Sequence, residues 1–297
     1  MTTAISNSLI LKLKIIIKCK APEYFAMLLF KLTFAQNFLP KLKKLKSESI
    51  YYRAKPYQAV YKFPDGLKLF SPKSDSLNQH ARLGFRYYEP KTRSLSNHIA
   101  KTLDKNSLII DVGAYNGIYA IPLAIASQAT VLSFEPNFAN FKLLLKNIEL
   151  NNLQSKILPM YLALSDKNKF GYVTESNSEL ATIFEFPIET LYKQAVFRMD
   201  DIIELLPSMP IRLIKIDVEG MGSEVLNGAR VQINKYYPYI IIESLSEEES
   251  IKQASLLTYL GYKPSIKLGD KYGDQRNFLY VHPESCPKID LHLYELN

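Results

Sequence analysis

From residue 57 to residue 283 the hydrophobic positions follow two alternating rhythms. Short continuous apolar runs bounded by turn residues predict buried strands at 108–112, 131–135, 157–163, 211–217, 238–244, 262–267 and 277–282. Longer segments with helical spacing predict helices at 91–103, 118–127, 137–151, 199–206, 221–235 and 247–260. Gly261 follows the last of these, where a left-handed residue commonly ends a helix. Strands alternating with helices give an α/β fold: a Rossmann-like, seven-stranded, largely parallel sheet with helices on both faces. A hairpin is expected at 57–70, because Pro64-Asp65-Gly66 separates two alternating segments, Ala59-Val60-Tyr61-Lys62-Phe63 and Leu67-Lys68-Leu69-Phe70. Residues 168–197 break the rhythm. Phe170-Gly171-Tyr172-Val173 and Ala181-Thr182-Ile183-Phe184-Glu185-Phe186 read as an inserted hairpin or a substrate-facing loop.

Residues 1–46 have a different pattern, with apolar clusters interrupted by lysines. They read as a basic helical extension to a domain spanning 47–297. No apolar run there approaches the ~18 residues needed to cross a bilayer. Nine lysines face Glu23 alone, a balance of +8 that equals the net charge of the whole chain. The domain itself is therefore neutral, and no nucleic-acid partner is expected. Two readings of the extension stay open. It attaches the protein to an anionic membrane surface, where each lysine contributes ~1 kcal/mol. Alternatively, it packs on the domain and shapes the acceptor cleft. No small-residue cleavage site follows a clean apolar core, so a cytoplasmic location is expected, with peripheral membrane attachment on the first reading.

Composition removes some chemistries. Cys19 and Cys286 are the only cysteines and lie far apart, which gives neither a disulfide framework nor metal-ligand spacing. No C-x-x-C, H-x-x-x-H or G-x-S-x-G occurs, which argues against zinc hydrolases and α/β-hydrolases.

The candidate chemistry lies where the first core strand meets a glycine turn, Leu108-Ile109-Ile110-Asp111-Val112-Gly113-Ala114-Tyr115-Asn116-Gly117. Glycine lets backbone approach a ligand closely and tolerates positive φ. The next strand ends on Glu135, 18 residues past Gly117, placed to accept hydrogen bonds from a ribose. A dinucleotide fingerprint needs three glycines, whereas only Gly113 and Gly117 occur, with Ala114 and Tyr115 between them. Asp111 would repel a pyrophosphate but suits a ligand with an ammonium group. S-adenosylmethionine has that ammonium, a ribose and an adenine.

These residues, with Ile214-Lys215-Ile216-Asp217-Val218-Glu219-Gly220, resemble the FkbM-type family of S-adenosylmethionine-dependent methyltransferases across residues 60–283. The likeness includes Phe85-Arg86-Tyr87-Tyr88-Glu89-Pro90, Phe134-Glu135-Pro136-Asn137, Asn147 with Asn151-Asn152, and Ala163-Leu164-Ser165-Asp166. It continues through Arg198-Met199-Asp200-Asp201, Val225-Leu226-Asn227-Gly228-Ala229 and Ile242-Glu243. The resemblance implies methylation of hydroxyl groups, often on sugars or polyketides. Two positions depart from the family pattern. Tyr115 stands where Asn is usual, and Gly222 replaces a frequent acid.

A methyl transfer to oxygen needs the acceptor held in line and its proton removed. Asp217 and Glu219, at the end of a central strand, are the expected bases; otherwise Asp217 caps the next helix or pairs with Lys215. The two are too few to claim a metal site. The expected cofactor contacts are Gly113, Ala114, Tyr115 and Gly117 in the turn, Asp111 below it, Glu135 with Pro136 at the ribose, Ser165 or Asp166 at the adenine, and Glu89 at the methionine end. Otherwise Glu89-Pro90 starts a helix and Ser165-Asp166 is an ordinary turn. The leading expectation is an O-methyltransferase acting on a small molecule, a glycan or a lipid-linked saccharide. An RNA or protein methyltransferase and a non-catalytic membrane scaffold are the alternatives.

Overall fold

A computed structural model describes residues 60–63, 66–72, 88–174, 191–269 and 274–291. The chain divides into two compact units, Met1–Tyr57 with Leu77–Phe85 and Gln58–Ser76 with Arg86–Asn297. Every described residue belongs to the second unit. The expected extension at 1–46 and its boundary lie outside the described residues.

The central sheet is seven-stranded and mostly parallel. Its strands are β3 (Leu108–Val112), β4 (Thr130–Phe134), β5 (Ile157–Met160), β9 (Ile211–Ile216), β10 (Tyr239–Glu243), β11 (Ile266–Lys267) and β12 (Asn277–Tyr280). They lie in the order β11-β12-β10-β9-β3-β4-β5. β12 runs antiparallel to both β10 and β11, and every other pairing is parallel. The chain winds outward from β3 through β4 to β5, then crosses back to β9 on the other side of β3. The carboxyl ends of β3 and β9 therefore flank a topological switch point, where open α/β sheets bind ligands.

Both faces of the sheet are buried, which explains why its strands read as unbroken apolar runs. On one face Ile110, Val112, Leu132, Phe134, Ile214, Ile216, Ile240 and Ile242 form a core. Helices α4 (Met199–Glu204), α5 (Gly222–Gly228), α6 (Arg230–Tyr236) and α7 (Glu247–Tyr259) close it with Met199, Val225, Leu226, Ile233 and Leu257. Ile109, Val131, Leu213 and Ile241 alternate with these residues and are equally inaccessible on the opposite face. The remaining helices are α1 (Pro90–Lys101), α2 (Ala120–Ala126) and α3 (Phe138–Leu150).

The expected hairpin is present as β1 (Val60–Lys62) and β2 (Lys68–Phe70), paired antiparallel. Its edge is held by asparagines of α3 and its C-cap. Asn147 bonds both backbone groups of Phe70, and Asn151 both those of Lys68, at 2.6–3.1 Å. Each amide side chain thus stands in for a neighbouring strand. Asn147 also donates to the carbonyl of Asn116 at 2.9 Å, which ties hairpin, helix and glycine turn together.

Four expected elements differ. The strand expected at 157–163 ends at Met160, and the chain re-enters as β6 (Ala163–Leu164) in a separate three-stranded sheet. That sheet is completed by β7 (Lys169–Thr174) and β8 (Leu191–Phe197), an antiparallel pair. The inserted hairpin therefore exists, but its second strand is 191–197; residues 181–186 lie outside the described set. The helix expected at 221–235 is two helices, α5 and α6. A Cβ on Gly228 would come 2.0 Å from the Ser165 carbonyl oxygen, so the chain must pass β6 closely there. Asp200 then accepts from the backbone of Val231 and Gln232 and caps the restarted helix. The strand expected at 262–267 shortens to two residues. Among the described residues, no helix is long and apolar enough to cross a membrane.

Candidate functional site

The turn after β3 is fixed from both sides. Backbone N–H groups of Gly113 and Ala114 both donate to the Phe134 carbonyl at 3.0 Å, and that of Asp217 donates to Val112 at 2.9 Å. Gly113 has φ 81° and Gly117 φ 90°. A Cβ on Gly113 would lie 1.8 Å from the Asp217 carbonyl oxygen, and one on Gly117 2.8 Å from Ile121 Cδ1. The close approach that makes residue 113 a glycine is thus an approach to the end of β9. Tyr115 takes a left-handed φ of 52°, a conformation unfavourable for a bulky residue.

Glu135 holds Tyr115 in that conformation. Its Oε2 accepts from the Tyr115 backbone and its Oε1 from the Asn137 backbone, both at 2.8 Å. Burial pushes its pKa up to about 7 despite these bonds. Asn137 caps α3 through Ala139 and Asn140. Beside it, the Pro136 carbonyl accepts from the Tyr192 hydroxyl at 2.8 Å. Phe138, Phe141 and Tyr161 pack ring against ring at this corner.

Asp111 lies beneath the turn and pairs in register with Lys215 of β9. It is buried, and its Oδ2 meets no hydrogen-bond donor. Burial pushes its pKa up to about 7, against the pull of Lys215. Lys215 is itself fully buried, with Nζ 3.0 Å from Asp217 Oδ2 and 4.9 Å from the centre of the Tyr119 ring. Burial alone would depress this ammonium, but Asp217, Glu89 and Glu243 hold it above its usual value. The Asp217 side chain is 23% exposed. Burial opposes its charge, yet Lys215 and a hydrogen bond from Glu243 keep it below the usual carboxylate range. Glu243 responds in the opposite direction. Burial and the neighbouring Asp217 push it up to about 9.

Glu89 occupies the N-cap position of α1 at φ 42° without capping it. That task falls to Asp274, which accepts from the backbone of Lys91 and Thr92 and from the Thr92 hydroxyl at 2.7–3.1 Å. The Glu89 carboxylate instead accepts from the Tyr119 hydroxyl and from Asn277 Nδ2. Burial raises its pKa.

Asp111, Gly113, Ala114, Tyr115, Gly117, Glu135, Asp217 and Glu89 therefore gather at the carboxyl edge around the switch point. Glu219 follows β9 on the next turn, at φ 46°. Ser165 and Asp166 lie in the turn between β6 and β7 of the three-stranded sheet. The Ser165 N–H donates to Phe197 at 2.9 Å and its hydroxyl to Asp166 Oδ1 at 3.2 Å. Sequence reasoning assigned no role to Glu243, Tyr119 or Asn277, and offered Lys215 only as the alternative partner of Asp217, a pair that the structure contains. Two of these carried a signal. Lys215 interrupts the apolar strand Leu213-Ile214-Lys215-Ile216, and Glu243 ends Ile240-Ile241-Ile242 much as Glu135 ends its own strand.

S-adenosylmethionine carries an ammonium and a sulfonium. Here four carboxyl groups, Glu89, Asp111, Asp217 and Glu243, share the field of the single ammonium of Lys215. One of them retains a buried oxygen without a donor. The residues fit a cationic ligand that also needs a ribose acceptor, and they do not fit a pyrophosphate. A doubly wound sheet with this acidic carboxyl edge suits an S-adenosylmethionine-dependent methyltransferase, the class to which the family match assigns the chain. Residues 111–276 match the Methyltransferase FkbM domain, and the chain belongs to that family.

A tRNA (guanine(37)-N(1))-methyltransferase of Batrachochytrium dendrobatidis is 36% identical over 73 residues, 25% of this chain and 15% of that protein. A tRNA(Phe) (4-demethylwyosine(37)-C(7)) aminocarboxypropyltransferase of Pyrococcus horikoshii is 21% identical over 183 residues, 56% of this chain and 64% of that protein. The chain thus spans less than two thirds of the length of either relative. Among solved structures, the methyltransferase FkbM from Methylobacillus flagellatus KT is similar with a TM-score of 0.45 and 16% identity, over 84% of this chain and 60% of that one.

Proposed function

We propose that the protein transfers a methyl group from S-adenosylmethionine to a hydroxyl of a glycan or lipid-linked saccharide. The observation that carries the reading is Asp217, an ionised carboxylate partly open to solvent, fixed by a buried lysine beside the glycine turn. When bound, the cofactor supplies an electrophilic methyl. Asp111 accepts from its ammonium, and Glu135 from its ribose. Asp217 takes the acceptor's proton, with Glu219 as the second candidate base. The sugar class rests on the family resemblance.

The test is to incubate the protein with labelled cofactor and separate pools of lipid-linked saccharide, free glycan and RNA. Label on a sugar hydroxyl supports the reading. Label in RNA alone would shift it to a second reading, RNA as acceptor, which is favoured by the two tRNA-modifying relatives. Calorimetry that shows no cofactor binding would sink both.

A further inference from the structure

Ile216 and Ile242 pair in the parallel β9–β10 register, so Asp217 and Glu243 leave adjacent strands side by side. Their carboxyl groups act on each other, the ionised form of one raising the pKa of the other. Lys215 holds Asp217 Oδ2 at 3.0 Å from within the sheet, with no exposure of its own. The other groups around the pair are accounted for. Glu219 stands on the turn after Asp217, and Glu89 at the start of α1 and Asp111 on β3 both feel Lys215. Tyr119 is engaged with Glu89, and Asn277 of β12, opposite Glu243 in register, is uncharged. With Glu243 protonated and Asp217 ionised, the pair holds one proton and one negative charge.

We propose that Asp217 and Glu243 act as a single proton-accepting unit, with Asp217 as the base and Glu243 as its positioning residue. The unit's negative charge balances the sulfonium before methyl transfer, and the acceptor's proton cancels that charge afterwards. This rests on the reading of hydroxyl methylation given above. As the acceptor oxygen bonds to the methyl carbon, the carbon–sulfur bond leaves its electron pair on sulfur. The O–H bond breaks with its electron pair left on oxygen, and the proton passes to Asp217. One positive and one negative charge vanish together. The net charge of the buried site is therefore the same before and after transfer, and no new charge has to be held away from water.

This arrangement makes the site a sensor of the sulfonium charge. S-adenosylmethionine and its demethylated product share the ammonium, carboxylate, ribose and adenine. In comparing the two, the contributions of Asp111 and Glu135 cancel. A cation beside the pair draws the proton off Glu243, whereas a neutral thioether does not.

The experiment is calorimetric titration of the full chain with each ligand, in buffers of unequal ionisation heat. The ratio of product Kd to cofactor Kd should rise several-fold between about pH 7 and about pH 9.5, with extra protons released when the cofactor binds. E243Q keeps a hydrogen-bond donor toward Asp217 but cannot titrate, so its ratio should stay flat. A flat ratio in the unaltered protein, or an undiminished rise in E243Q, overturns the proposal while leaving the methyltransferase reading intact. Failure of both ligands to bind at any pH overturns that reading instead. Circular dichroism establishes that E243Q is folded; if it is not, the proton count of the unaltered protein decides alone.

Discussion

Asp111 is kept where it is at a cost to the ligand-free protein. Its pKa in the folded chain is about 7, against an ordinary value of 3.8, because burial disfavours its charge. The folded state therefore binds its proton more tightly than the unfolded one. Its contribution to stability is fully present below about pH 4 and is lost as pH rises through about 7. Asp111→Asn should accordingly stabilise the ligand-free protein at about pH 8 by on the order of a few kcal/mol, read as a higher melting temperature, and the gain should shrink toward about pH 4. The same variant should bind S-adenosylmethionine more weakly. A variant that is more stable and binds equally well would show that Asp111 serves the fold alone. Glu135→Ala should weaken cofactor binding through lost charge-assisted hydrogen bonds, each worth ~1.5–3 kcal/mol. It should also loosen Tyr115, whose strained backbone Glu135 restrains. Asp217→Asn belongs to a different category. A base acts in the transition state, so turnover should fall by about 10²- to 10⁴-fold, far more than cofactor affinity falls. Full turnover at several pH values would pass the role to Glu219.

At the scale of elements, Gly222 shows how a departure from the family pattern is accommodated. An acid is frequent at this position in the family, and here a carboxylate comes from α7 instead. Glu249 accepts from the backbone of Gly222 at 3.2 Å and of Leu245 at 3.0 Å. A Cβ at residue 222 would stand 2.7 Å from Gln253 Nε2 and 2.9 Å from Ile242 Cδ1. Restoring the acid as Gly222→Glu should therefore destabilise by ~1–3 kcal/mol through overpacking. Adding Glu249→Ala should recover part of that loss, because the two carboxylates compete for one space. Denaturant midpoints of the two singles and the double would show the coupling, and simple additivity would contradict it. The sequence pattern located the central strands because a strand buried on both faces is apolar throughout. It misplaced the break at Gly228 and the shift of β6 to another sheet. Both depend on a close contact between residues 165 and 228, which no local pattern encodes.

At the scale of the whole molecule, the charge asymmetry gives a prediction for residues 1–46. Full-length protein should co-sediment with anionic vesicles at low salt. Binding should weaken as the Debye length shortens to ~3 Å at about 1 M salt and disappear in a chain starting at Ser47. Indifference of the full-length protein to such vesicles would make the segment a packing element of the domain. The legibility of the site follows its distribution along the chain. Asp111, the glycine turn and Glu135 stand close together in sequence and were readable. The Glu89 corner is assembled from Tyr119, Asp274 and Asn277, far apart in sequence and without a local pattern. That dispersal has a consequence for a chain made from its N-terminus onward. Helix α1 emerges from the ribosome early, but the carboxylate that caps it is 182 residues further along. Until residues 274–277 are synthesised, nothing satisfies the start of α1 in the folded manner, and the Asn277 contact to Glu89 cannot form. A growing chain thus holds an unfinished site across that whole stretch, and completes it only when the last strand of the sheet arrives.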